Sequence, residues 1–476
     1  MKSNAENKSP DYAEGSLSLA GSVWLGTGVM IGAGIFALTG QMAGMTGALF
    51  PVAFLVAAIV VGFSAYSYVL LSHKFPSAGG IGMFLEKAYG PSVTTAFHAL
   101  LMYSSMVIAQ SFLARTFGSY AVQLWPGAGD AAGYLVPGLG VGLILLVFAV
   151  NLAGTKWIGR VAGSLGVIKV VGIAVFAIVG LTLAESWSGA IPTVSPEGDM
   201  SIAGFLGATA LGILAFKGFT TITNSGSEIV DPRRNVGRAI IIAIALCIVI
   251  YGLVGAAVVV NLSLDEIVAK RDYALAAAAR PVLGDVGVWF TVILAMTATA
   301  GGLLASIFAV SRMLAMLTEM RLVPHSHFRM PGDIQQHTLV YTVVLGLVLT
   351  AFFDLSRIAA LGIIFYLTMD IALHWGVWRH LRQELQPRAA ILWTAIGLDA
   401  LVLSGFLLVK FEQDPAILAV ALAIMLGLLV MELVYFRLRG PPPEGHEHGH
   451  EHGHEHEHEH EHEHEHQASE EATAHS

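Results

Sequence analysis

Apolar residues occur along most of this chain in blocks of about 20, separated by short polar segments. A block of that length, wound into a helix, is long enough to cross the hydrocarbon core of a bilayer. The pattern predicts twelve membrane-spanning helices, at about residues 16–40, 47–72, 93–125, 133–153, 161–183, 203–226, 239–261, 286–318, 338–353, 357–378, 389–410 and 415–436. The predicted fold class is an all-α integral membrane protein.

Two of the predicted helices are interrupted near the middle of the membrane. The first contains VMIGAGIFALTG (29–40), and the sixth contains FKGF (216–219), in which a lysine precedes a glycine. Glycine weakens a helix by about 1 kcal/mol relative to alanine, and interruptions at matching positions of two repeats are typical of the central site of a secondary transporter. The predicted substrate-binding residues are Ile31, Gly32, Ala33, Gly34, Phe216, Lys217, Gly218 and Phe219.

Each interruption alone has a simpler interpretation, because glycines in membrane helices also allow neighbouring helices to pack closely. The presence of both interruptions, with charged Lys217 beside the second, favours a binding site. A helix N-terminus attracts anions. We therefore expect the backbone N–H groups of Gly32, Ala33 and Gly34 to bind a carboxylate of the substrate.

Composition and charge agree with this class and predict an orientation. Hydrophobic residues make up 55% and charged residues 12% of the 476 residues, and the mean hydropathy is +0.69. With the N-terminus inside, sixteen of the 25 Lys and Arg residues fall in cytoplasmic segments and five on the external side. This bias predicts a multi-pass protein of the plasma or bacterial inner membrane with both termini in the cytoplasm.

The acidity of the chain belongs to its C-terminal tail. Residues 440–476 contain eleven of the 34 acidic residues and no Lys or Arg. With too few apolar residues for a core, this His/Glu-rich tail is predicted to be disordered. Imidazoles are ligands for zinc and nickel, so the tail could bind metal through His446, His448, His450, His452, His454, His456, His458, His460, His462, His464 and His466. A solubilising charged segment and an artificial tag remain alternatives.

Several longer motifs resemble those of one transporter family. They are MIGAGIF (30–36), FPSAGGIGMFLEKAYG (75–90), NLAGTKWIGR (151–160) with VIK (167–169), FKGF with SEIVDPRRNVGRAI (227–240), RPVLGDVG (280–287) and AVSRMLAMLTEMRLVP (309–324). Together they are similar to the amino acid-polyamine-organocation (APC) superfamily of permeases, and the resemblance covers about residues 16–400. It implies a LeuT-type fold, in which helices 1–5 and 6–10 form two inverted repeats and helices 1 and 6 are broken.

The resemblance also implies a domain organisation and a mechanism. A transporter domain at 16–439 would lie between a cytoplasmic N-terminal segment, 1–15, and the tail, 440–476. The expected activity is secondary transport of amino acids or related amines by alternating access, coupled to protons. Lys169 would place an amine where sodium-dependent members hold sodium, which makes it the expected proton-coupling residue. Ala33, where many members have Ser or Thr, and Lys217 are departures that prevent a substrate from being transferred from a relative.

Other ionisable residues lie within predicted helices, where a charge costs about 2.5–3.5 kcal/mol. His374 follows Asp370 by four residues and shares its helix face, so a proton relay is conceivable there. Asp399 and Glu432 lie in helices 11 and 12, outside the implied repeats. We expect these two side chains to make packing or oligomer contacts, and we assign them no role in coupling.

Three functional classes are compatible with these features: a carrier of amino acids or amines, a metal or potassium carrier on the same fold, and a membrane sensor. An ion carrier would place carboxylate, thioether or amide ligands at the interruptions, and GAGIF and AFKGF contain none. The sequence has no Walker loop or nucleophile motif, which argues against an enzyme and against ATP-driven transport. We expect a permease that needs no cofactor, with a small molecule, protons and the lipid bilayer as its partners and no nucleic acid. An amino acid exchanger remains an alternative.

Overall fold

A computed structural model describes residues 17–76, 80–125, 127–153, 156–184, 201–324 and 334–439. Helices make up nearly all of these ranges. They are α1 (Leu19–Thr46), α2 (Phe50–Lys74), α3 (Gly80–Tyr89), α4 (Val93–Ala121), α5 (Ala132–Ala153), α6 (Lys156–Thr182), α7 (Ile202–Phe216), α8 (Thr220–Asn224), α9 (Pro232–Asn261), α10 (Leu264–Ala269), α11 (Ala274–Glu319), α12 (Ile334–Phe352), α13 (Leu355–Arg379), α14 (Arg382–Leu385), α15 (Ala389–Gln413) and α16 (Pro415–Arg439).

The predicted spans correspond, in order, to α1, α2, α4, α5, α6, α7 with α8, α9, α11, α12, α13, α15 and α16. In the described part of the chain, ten stretches are long and apolar enough to cross a membrane. Two shorter apolar segments, Leu19–Gly32 and Ile168–Thr182, belong to α1 and α6. The all-α, multi-span fold class is confirmed.

Local sequence signals explain several helix boundaries. Ser18 and Ser201 cap α1 and α7, since each side-chain oxygen accepts a hydrogen bond from a backbone N–H three residues later. Pro232 begins α9 at a position where its missing N–H costs nothing. Gly284 has a positive φ of 58° inside α11 and kinks that helix. The eighth span, predicted at 286–318, corresponds to the part of α11 that follows this kink.

The prediction of a break in the first helix is wrong. The backbone of α1 is α-helical from Leu19 to Thr46, so the N–H groups of residues 32–34 are paired within the helix. The glycine pattern has the packing explanation instead. A Cβ added at Gly34 would lie 2.8 Å from the Cα of Ala215, which means that α1 and α7 approach too closely for a side chain there.

The predicted interruption of the sixth helix is confirmed. The α-helix α7 ends at Phe216, a 3₁₀ turn occupies Lys217–Phe219, and α8 follows from Thr220. We call this 3₁₀ segment the Lys217–Phe219 turn. A change of helix type in mid-span often marks a functional hinge.

Three of the extensive helix pairings join equivalent members of the two implied repeats. The first span packs against the sixth (α1 on α7), the second against the seventh (α2 on α9), and the third against the eighth (α4 on α11). An internal two-fold relation between the repeats would produce these pairings. The segment after α8 returns to the start of the chain, where Leu17 donates a backbone hydrogen bond to Glu228 and accepts one from Val230.

Candidate functional site

A cavity lies where α1 crosses α7 and the Lys217–Phe219 turn, and the empty space within it and at its open mouth amounts to about 680 Å³. The wall is mostly apolar, and its polar side chains come from Lys217, Thr220, Thr221 and Ser306. The full lining is Val29, Met30, Gly34, Leu38, Met106, Ala109, Phe112, Leu113, Leu214, Ala215, Lys217, Gly218, Thr220, Thr221, Ser306 and Val310.

Three of the predicted binding residues, Gly34, Lys217 and Gly218, line this cavity. Ile31, Phe216 and Phe219 are fully buried and belong to the packed core around it. Gly32 lies beside Leu113 and the Ala298 carbonyl. The side chain of Ala33 lies outside what the structure describes.

Each of the two glycines at the cavity packs against the segment that carries the other glycine. Gly34 of α1 lies against Ala215 of α7. Gly218 lies against Met30 of α1, where an added Cβ would be 2.6 Å from the backbone nitrogen. The two main chains therefore touch directly on both sides of the crossing, and neither position has room for a side chain.

Tyr251 of α9 makes contacts with both α1 and α7 where they cross. The sequence analysis did not identify this residue. Its hydroxyl donates to the Met30 carbonyl at 2.7 Å and lies 3.1 Å from the Ala215 carbonyl. Its ring packs on Phe216, with ring centroids 5.0 Å apart. A single buried phenol thus holds α1 and α7 together beside the cavity. A tyrosine in an otherwise apolar span was the available signal.

Lys217 is buried, and two groups hold its ammonium. Nζ donates to Ser105 Oγ of α4 at 2.5 Å and lies 5.1 Å from the centroid of the Tyr366 ring of α13. Ser105 Oγ in turn donates to the Gly362 carbonyl at 2.8 Å. An ammonium has three N–H donors, so two remain for the cavity. Ser306 Oγ, on the cavity wall, has no hydrogen-bond partner among the described residues.

Lys169 does not line the cavity, but its helix lies where the resemblance implies. Its side chain is buried on α6, and α6 packs against both α1 and α11, the first and eighth spans. The described part of the chain contains no hydrogen bond or ion pair to this amine. The tail histidines lie outside the described residues.

A second cluster of ionisable side chains lies between α2, α13 and α15. His374 Nε2 is 3.6 Å from Asp370 Oδ2 and 3.5 Å from Asp399 Oδ2, and all three side chains are at most 1% exposed. The shared face of Asp370 and His374 was visible in the sequence. The approach of Asp399 was not, and its assignment to packing or oligomer contacts must be corrected: it faces His374 inside the protein.

Comparison with known proteins identifies the family. Residues 17–436 match the family described as "Amino acid permease". The chain belongs to this family. It is 30% identical over 419 residues to the inner membrane transport protein YbaT of Escherichia coli, which covers 88% of this chain and 95% of YbaT.

Two other relatives of this permease carry substrates in their names. The branched-chain amino acid permease BcaP of Lactococcus lactis is 28% identical over 48% of this chain and 52% of its own. The methylthioribose transporter of Bacillus subtilis is 27% identical over 52% of this chain and 55% of its own. The family consists of membrane transporters rather than enzymes and generally needs no cofactor. The chain is thus a multi-pass transporter of the APC superfamily.

Proposed function

We propose that this permease is a secondary active transporter of amino acids or related amines, working by alternating access with proton coupling. The observation that carries the proposal is the cavity at the crossing of α1 and the interrupted sixth helix, because a buried lysine faces it. The proposed substrate site remains Ile31, Gly32, Ala33, Gly34, Phe216, Lys217, Gly218 and Phe219. Of these, Gly34, Lys217 and Gly218 line the cavity.

The cavity supports a substrate with one anionic end and an apolar body. Lys217 supplies a cation with two free donors, and Ser306 supplies a hydroxyl without a described partner. Leucine, methionine, valine and phenylalanine side chains form most of the remaining wall. A carboxylate bound to Lys217 would form a charge-assisted hydrogen bond, which replaces the contact to free N–H groups of α1 that the sequence suggested.

Three alternatives are less well supported. A metal or potassium carrier would need oxygen or sulfur ligands around its ion, whereas this cavity presents an ammonium that would repel a cation. Methylthioribose, named for one relative, has no carboxylate to pair with Lys217. An exchanger would use the same site and differ only in its coupling.

Proton coupling and orientation are part of the proposal. Lys169 is the proposed coupling residue, because its buried amine lies on a helix packed against the first and eighth spans. The distribution of Lys and Arg supports cytoplasmic termini. The tail would then bind zinc or nickel in the cytoplasm, away from the transport path.

The test is uptake by the purified full-length protein in proteoliposomes, screened with radiolabelled acidic, neutral and basic amino acids and with methylthioribose. Each compound is measured with and without an inward pH gradient. Accumulation of an amino acid that increases with the gradient would support the proposal. Uptake of methylthioribose alone, or accumulation driven only by sodium, would contradict it.

A further inference from the structure

None of Asp370, His374 and Asp399 lines the cavity, and the three side chains of this cluster differ in how fully they are hydrogen-bonded. Asp370 accepts from the hydroxyls of Ser64 and Tyr68, both at 2.6 Å, and His374 Nδ1 is 2.8 Å from Ser67 Oγ. His374 Nε2 and both carboxylate oxygens of Asp399 have no hydrogen-bond partner among the described residues. The unpartnered atoms face one another.

We propose that His374 and Asp399 form a proton-binding site, distinct from Lys169, whose occupancy is linked to the Lys217–Phe219 turn through Asp370. This inference rests on the proposed proton-coupled transport. The site takes up one proton, which is held between His374 Nε2 and Asp399, and releases it without further chemistry.

The charge of the cluster explains why it would bind protons. With both carboxylates ionised and the imidazole neutral, the buried site would carry two negative charges, and uncompensated buried charge is costly. Each proton gained removes one of them. Two hydroxyls donate hydrogen bonds to Asp370, and these bonds favour its ionised form. The groups that gain and lose the proton are therefore His374 and Asp399, to which no described group donates.

One contact connects the cluster to the Lys217–Phe219 turn, and a second joins that turn to the helix of Asp370 and His374. Tyr68, which donates to Asp370, packs edge-to-face against Phe219 with ring centroids 5.1 Å apart. Tyr366, one helical turn before Asp370, lies under the Lys217 ammonium. The Phe219 end of the turn therefore contacts the network through Tyr68, and its Lys217 end contacts the helix that carries Asp370 and His374. A movement of this turn on substrate binding would alter the surroundings of Asp370.

Among the residues that the structure describes, few other ionisable groups lie on the helices packed around α13 near the cluster. Tyr68 comes from α2, Tyr366 from α13 itself, and Lys217 from the turn beside α7. Tyr103 of α4 bonds Thr342, and Tyr89 of α3 bonds the Ala372 carbonyl. Arg382 of α14 stacks on Trp378. Glu432 of α16 is buried, and its carboxylate has no described partner.

The first test needs no substrate. Infrared spectra of the full-length protein in lipid are recorded from about pH 6 to about pH 9, above the titration of ordinary carboxyls, to follow the C=O stretch of protonated carboxyl groups. We expect a titrating band that Asp399→Asn removes. Glu432→Gln, which changes another buried carboxyl, should leave that band in place. If Asp399→Asn is poorly folded, Ser67→Ala should shift the midpoint of the band instead.

The second test measures coupling with an amino acid identified in the uptake screen. Asp399→Asn should lower accumulation driven by a pH gradient about tenfold relative to exchange at equal pH, which corresponds to a loss of about 1.4 kcal/mol. A purely structural role would reduce both rates together. If no amino acid is transported, the proposed function fails while the infrared test still decides the proton site.

Two results would overturn the proton site. One is an infrared band and an accumulation-to-exchange ratio that are both unchanged in Asp399→Asn. The other is a zinc ion, found by elemental analysis at one per protein, that is lost in Asp399→Asn and retained in Glu432→Gln. The second result would make the cluster a metal site.

Discussion

Gly218 packs against the backbone of Met30 so closely that a methyl group at residue 218 would lie 2.6 Å from the Met30 nitrogen. Real Cβ atoms do not approach backbone that closely, so Gly218→Ala must push the Lys217–Phe219 turn away from α1. Overpacking of this kind costs about 1–3 kcal/mol. We expect a lower melting temperature in detergent and a large loss of uptake in proteoliposomes.

The matched control for that change is Gly252→Ala on α9. A Cβ added at Gly252 would meet no atom within 4 Å, so we expect stability and uptake to stay at parental values. Equal losses in the two variants would show that the close approach of Gly218 to α1 has no special importance, because alanine favours a helix over glycine and Gly252 has no close neighbour.

Lys217 is expected to determine which substrate charge the cavity accepts. Lys217→Met keeps the apolar stem and removes the ammonium, so a bound carboxylate loses a charged hydrogen bond worth about 1.5–3 kcal/mol. The half-saturation concentration for neutral and acidic amino acids should rise roughly 10- to 100-fold. Uptake of basic amino acids should be affected least. These concentrations are measured from initial uptake rates.

Lys410 offers a control with similar chemistry away from the cavity. It is also buried, its Nζ lies 3.0 Å from Ser356 Oγ, and it sits over the Phe406 ring. Lys410→Met should leave the order of preference among acidic, neutral and basic substrates as it is. If Lys217→Met also preserves that order, Lys217 is structural.

Tyr251→Phe tests whether one hydroxyl holds α1 and α7 together. The change removes the bonds to the Met30 and Ala215 carbonyls while keeping the ring against Phe216. Hydrogen bonds between membrane helices contribute about 0.6 kcal/mol on average, and the largest about 1.7 kcal/mol. We expect a modest loss of thermal stability together with a larger change in the transport rate, because the affected contact borders the cavity.

The comparison for this variant is Tyr103→Phe, which removes a 3.0 Å bond to Thr342 between α4 and α12. Its stability should fall by a similar amount without a selective effect on transport. Parallel behaviour of the two tyrosine variants in both assays would argue against a special role for Tyr251.

The sequence predicted the helices well and the contacts between them poorly. Apolar run length determines where a chain can cross a bilayer, and each of the twelve predicted spans corresponds to helical structure in the described chain. A glycine pattern, however, is compatible with both a break and a close helix contact. The sixth helix changes type at Lys217, where a charged residue adjoins the glycine. The first helix remains continuous, and its Gly34 allows close packing against Ala215.

The buried cluster shows a second limit of sequence analysis. Asp370 and His374 share a helix face, and this is a local property that spacing reveals. Asp399 reaches them only because α15 packs against α13. No local pattern encodes that pairing. Tyr251 and Ser105 were overlooked for the same reason, since their importance depends on carbonyls and an amine of other helices.

Lys169→Ala tests the proposed coupling residue. Removing the buried amine should abolish the dependence of uptake on external pH, or create a dependence on sodium, because the fixed cation would no longer occupy its site. Uptake is measured across a pH series with sodium or choline as the cation. Ile168→Ala, at an exposed neighbour on the same helix, should keep the parental pH profile. A parental rate and pH profile in Lys169→Ala would remove Lys169 from the mechanism.

The tail is expected to bind metal without taking part in transport. Eleven of its histidines alternate with other residues from His446 to His466, so an extended segment would place these eleven on one face. Four ligands suffice for one zinc ion, and the tract therefore has enough for more than one. Deletion of residues 444–476 should abolish micromolar binding of zinc or nickel in calorimetry while leaving amino acid uptake at the parental rate, because the predicted position of the tail is outside the membrane. Uptake that fails after the deletion, and that depends on added metal in the full-length protein, would instead link metal binding to transport.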